Sequence, residues 1–116
     1  NVTPRPISAA ELALMRAWLD QDVGGAAELR TQVDETTLVF QSCDCGCASF
    51  GFVHPAVESS GVSVFDVEVE IVDDDGSPLG GMVLFVKAGF LHDVDVHDWA
   101  ESRPVPDLSR VRFHLR

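Results

Sequence analysis

The hydrophobic period changes once along this 116-residue chain, near Thr36, and that change limits what the chain can fold into. Before it, Leu12, Met15 and Leu19 fall at helical spacing with Trp18 beside them, which makes one apolar stripe. After it, apolar and polar residues alternate. Leu38 and Phe40 come first, then Phe50 and Phe52, then Phe65, Val67, Val69 and Ile71 set against Asp66, Glu68 and Glu70. Helices followed by strands read as α+β, not as the βαβ alternation of a parallel sheet. The expectation is a single α+β domain over residues 1–116. Its N-terminal helices would pack on the apolar face of one antiparallel sheet of about four to six strands.

Local signals place the elements. Residues 1–6 hold two prolines and no periodicity and read as a tail. Ser8-Ala9-Ala10-Glu11 is a capping box, with Ile7 and Leu12 at the positions of a hydrophobic staple. The helix so opened is expected to run to about Asp22, with Gly24-Gly25 ending it. A second short helix reads from Ala26 to Val33, with Leu29 and Val33 inward. Two strands, to Cys43 and from Phe50 to Pro55, form a hairpin with Asp44-Cys45-Gly46 between them. Asp73 to Pro78 is a turn, Met82 to Lys87 a strand, and Ala88-Gly89 a tight connection. Leu91 to Asp98 carries Val94 and Val96 on one face and Asp93, Asp95 and His97 on the other. Pro104 and Pro106 break the chain before a short closing strand with Val111, Phe113 and Leu115.

Composition narrows the function classes. With 19 acidic and 8 basic residues the net charge is −11, and the few cations are scattered, so nucleic acid is not an expected partner. No apolar run approaches the ~20 residues of a membrane helix, and no charged and apolar leader opens the sequence, so no membrane partner is expected. The three cysteines are an odd count within five residues, which fits a cytoplasmic location better than a secreted disulfide scaffold.

Three segments carry a resemblance: Leu29-Arg30-Thr31-Gln32, Cys43-Asp44-Cys45-Gly46-Cys47, and Gly89-Phe90-Leu91 with Val94-Asp95-Val96. The layout resembles a group of short uncharacterised bacterial proteins, mostly of actinobacterial type, with a helical start and a CGCGC-like cysteine cluster. This chain departs from the pattern at Asp44, where the group has Gly, and at Asp95, where it has Glu. The resemblance implies no activity.

Two constellations bear on chemistry. Cys43, Cys45 and Cys47 are thiolate donors of the kind zinc or copper(I) takes, with His92 or His97 from another strand, or water, as a fourth ligand. Cys-x-Cys in a straight strand separates Cα atoms by about 6.6 Å, so a bend at Gly46 is needed. An extended strand from Cys47 would carry His54 about 23 Å away. The alternatives are a Cys43–Cys47 disulfide across the hairpin, small thiols packing a tight turn, or a nucleophile, which needs a base within reach. No cofactor is predicted, and zinc at the cysteines is the metal considered. The second constellation is an acidic face, Asp66, Glu68 and Glu70 on one strand with Asp93, Asp95 and His97 on another. As neighbours these strands would converge to bind a cation, pair acid with base or meet a basic partner; as an ordinary solvated face they would only deter aggregation.

Asp73-Asp74-Asp75-Gly76 fails the EF-hand template, because Ile71 falls where the first carboxylate is required. No nucleophile elbow, phosphate-binding loop, dinucleotide fingerprint or zinc-protease motif occurs. The expectation is a non-catalytic acidic protein-interaction module. Its partner would be another protein or a second copy of the chain, with metal or redox chemistry at the cysteines as the alternative.

Overall fold

The computed structural model describes residues 3–41, 48–53, 61–62, 65–99 and 105–115. Ser8 opens helix α1 (Ala9–Trp18): its hydroxyl accepts from the Glu11 N–H at 3.1 Å, and the Glu11 carboxylate accepts from the Ser8 N–H at 2.9 Å. The capping box is therefore formed as the sequence predicts. The helix stops at Trp18, short of Asp22, with Leu19 as its C-cap. There the Gln21 side-chain amide donates to the Ala17 carbonyl at 3.0 Å, taking an acceptor that a longer helix would use itself. Leu12, Leu14, Met15, Trp18 and Leu19 are all buried, so α1 hides more surface than one stripe. Helix α2 (Ala26–Arg30) is likewise shorter than predicted, although Leu29 and Val33 are both buried.

The strands are β1 (Arg5–Pro6), β2 (Leu38–Gln41), β3 (Phe50–Phe52), β4 (Val67–Val72), β5 (Pro78–Lys87), β6 (Phe90–His97) and β7 (Val111–Leu115). Among the described residues they form one sheet of seven strands in the order β1-β2-β3-β6-β5-β4-β7, with every neighbouring pair antiparallel. The α+β class stands, with more strands than the sequence predicts and two α-helices among the described residues. One added strand is β1, inside the segment read as a tail. The Arg5 guanidinium donates both ways to the buried Glu11 carboxylate at 2.7 Å, and the Ile7 N–H donates to the Thr37 carbonyl at 2.9 Å. That anchorage outweighs the absence of a hydrophobic period. β5 begins at Pro78 rather than Met82, because the pairing with β4 runs back to Val72.

The core lies on one face of the sheet. Val39, Phe50, Phe52, Val67, Val69, Ile71, Met82, Leu84, Val94 and Val96 form one buried cluster with the α1 and α2 side chains. The Trp18 indole N–H donates to the buried Val67 carbonyl at 2.9 Å, tying α1 to β4. The shortest dimension of the molecule is 20 Å, room for one sheet and one helical layer of about 10 Å each.

The narrow place in this sheet is the seam between β3 and β6. Among the described residues, Phe50–Val94 and Gly51–Asp93 are the pairs in register there, although β6 has eight residues. Two buried polar side chains complete the edge. The Gln32 amide donates to the Gly89 carbonyl at 2.8 Å and accepts from the Leu91 N–H at 2.9 Å. The Ser49 hydroxyl accepts from the Val96 N–H at 2.8 Å. Each side chain stands in for strand backbone where β3 has ended.

Two outcomes follow. Gln32→Leu orphans a buried donor and a buried acceptor and is expected to cost about 2–3 kcal/mol in urea unfolding. Burial alone would push the Glu11 carboxyl up, but hydrogen bonds from Arg5 and Ser8, with the Arg5 charge, outweigh it and hold the group below 4.5. A lowered folded value means stability present above the ordinary carboxylate range and lost on acidification. Between about pH 5 and about pH 3 the urea midpoint is expected to fall less in Glu11→Gln than in the wild type.

Candidate functional site

The face of the sheet opposite the core carries the acids. Strand pairing sets them in rows. Arg112 of β7, Glu70 of β4, Gly81 of β5 and His97 of β6 form one row. His114 lies opposite Glu68, and Val83 opposite Asp95. Phe85, Asp93, Gly51 and Phe40 make another row, reaching β2.

The sequence leaves open whether the two acidic strands are neighbours, and the strand order answers it. β4 and β6 are not neighbours, because β5 lies between them. Two strand spacings, about 10 Å, therefore separate Glu68 and Glu70 from Asp93, Asp95 and His97. Gly81, Val83 and Phe85 fill the gap. The gap narrows at Gly81, where a β-carbon would sit 2.8 Å from both Cε1 and Nε2 of His97, so the imidazole lies over the glycine. A shallow groove of about 250 Å³ results, lined by Glu68, Glu70, Gly81, Val83, His97 and His114. The Glu70 Oε1 atom is 3.5 Å from His114 Nε2 and 4.0 Å from Arg112. These groups are exposed or half-exposed, where an ion pair is worth about 0–1 kcal/mol. They order the surface without driving the fold.

The remaining candidates sit apart. Asp66 is exposed ahead of β4. His92 is exposed where the β5–β6 register steps from Phe85–Asp93 to Val86–Leu91, off the row of Asp93, Asp95 and His97. Cys43, Cys45, Cys47 and His54 lie outside the described residues. Among the described residues, no three His, Cys, Asp or Glu side chains come together as metal ligands.

The sequence reading missed the apolar centre of this face. Phe85 is 49% exposed, and Leu38 is 44% exposed. The Phe40 ring lies over Gly51, where a β-carbon would meet it at 2.5 Å. The signal was the unbroken run Met82 to Val86, a strand apolar on both faces with only one face against the core. Arg112 was also missed, because its strand was read only through its apolar alternation. No family profile, curated protein or solved structure matches this chain.

Proposed function

We propose that the protein is a non-catalytic interaction module that docks a basic partner protein on the open face of its sheet. The observation that carries this reading is Phe85, half exposed on the inner strand β5, with Asp93 opposite it on β6 and, two residues along the same face, Val83 opposite Asp95. Interfaces concentrate energy in an aromatic anchor surrounded by a polar rim. The rim here is acidic and the whole chain carries −11, so a surface with Lys or Arg around an apolar pocket is complementary. A second copy docked face to face would set acids against acids. The spacing of β4 and β6 also keeps the carboxylates of the two strands from acting as a close acid–base pair.

The immobilised protein is expected to retain a partner that is released by Phe85→Ser and by Asp95→Lys, with retention falling as salt rises. Phe85→Ser should weaken the complex by at least about 2 kcal/mol while leaving the urea midpoint nearly unchanged. A partner held equally by all three proteins, or none retained, overturns the reading.

A second reading rests on three thiols within five residues, Cys43, Cys45 and Cys47, which a bend at Gly46 would bring together for thiolate ligation or reversible oxidation. It expects about one equivalent of zinc in protein purified without added metal, or thiols that titrate differently after oxidation. Metal-free protein with three freely titrating thiols under both conditions overturns it.

A further inference from the structure

The two edges of the sheet differ. β1 has two residues, one of them Pro6, which has no N–H to offer an incoming strand. β7 has five residues and no proline, and among the described residues it pairs with β4 on one side only. Its charge is also unlike the rest of the molecule. From Leu108 to Leu115 the chain has Arg110, Arg112 and His114 and no Asp or Glu, in a protein of net charge −11.

We propose that the free edge of β7 takes an added strand from a partner, an extended segment that alternates apolar and acidic residues. The fold already contains the template. On the paired side of β7, Val67, Val69 and Ile71 of β4 lie opposite Leu115, Phe113 and Val111. Glu68 and Glu70 lie opposite His114 and Arg112. A strand's two edges present the same side chains on the same faces, so the free edge offers the same apolar row and the same row of Arg112 and His114. An incoming Val-Glu-Val-Glu segment would set its acids beside Arg112 and His114, which are 56% and 54% exposed. Its apolar residues would cover Leu115, which is 57% exposed, and extend the row of Phe113 and Val111.

Edge charges also serve to prevent aggregation. Here they occupy one face alone, and the other face of β7 keeps an apolar row. A second copy is the poorer occupant. In antiparallel β7–β7 pairing about a two-fold axis, the fullest register that aligns the outer faces sets Arg112 opposite His114 of the other copy, and the in-phase registers on either side of it set Arg112 against Arg112 or His114 against His114. Backbone hydrogen bonds would give such a complex its affinity, and the alternating side chains its choice of partner.

The test uses the full chain and a labelled synthetic peptide copying Val67–Val72 between soluble flanks. Two controls carry Lys for both Glu residues, or N-methyl groups on alternate backbone amides. The Glu peptide is expected to bind at least about tenfold tighter than the Lys peptide, with an affinity that falls as salt rises. The N-methylated peptide should not bind, because the ladder cannot form. In the double variant Arg112→Glu with His114→Glu the preference should reverse toward the Lys peptide. Phe85→Ser should bind the Glu peptide like the wild type, which separates this edge from docking on the open face. Equal binding of the N-methylated peptide, no reversal of preference, or no saturable binding overturns the proposal. So does a dimer of the protein alone that the double variant dissociates.

Discussion

The structure depends on how two groups of strands are joined. β4, β5, β6 and β7 form one group by consecutive or adjacent pairing, and β1, β2 and β3 the other. The junction is the short seam of β3 on β6, two residue pairs wide among the described residues. Left to itself, β6 would bury unpaired peptide groups on both sides of that seam, and each such group is costly away from water. Gln32 at one end and Ser49 at the other remove that cost. Because Gln32 sits just past α2, the helical layer is positioned by the same contact that closes the sheet.

Much of this architecture was legible in the residues. The capping box at Ser8, the reversal between Leu38 and Phe52, and the alternation through Val67 to Ile71 all report local geometry, and each formed as read. What was hidden depended on partners distant in sequence. Gln32 looks like the polar end of a short helix until Gly89 and Leu91 are brought to it. Arg5 and Pro6 look like a tail until Glu11 and Val39 hold them. Helix ends moved for a similar reason, since a side chain such as Gln21 can take a terminal carbonyl without any change in period.

The open face was legible in its charges and not in its order. Alternation told which side of each strand Glu68, Glu70, Asp93, Asp95 and His97 would occupy. It carried no information on which strand lies between them. The interposition of β5 sets Gly81, Val83 and Phe85 between the acids of β4 and the acids and imidazole of β6. Strand order thus keeps the two groups about two strand spacings apart, too far for direct proton transfer between them.

The seam contacts also link residues far apart along the chain, 57 and 59 positions for Gln32 and 47 for Ser49. β5 and β6, by contrast, close through a two-residue turn in which Ala88 and Gly89 both adopt left-handed backbone, with φ of 54° and 81°. Loop entropy makes the hairpin quick to form and the seam late to close. Closing the seam therefore carries a larger chain-entropy cost than closing the hairpin, and the hydrogen bonds of Gln32 and Ser49 offset part of it.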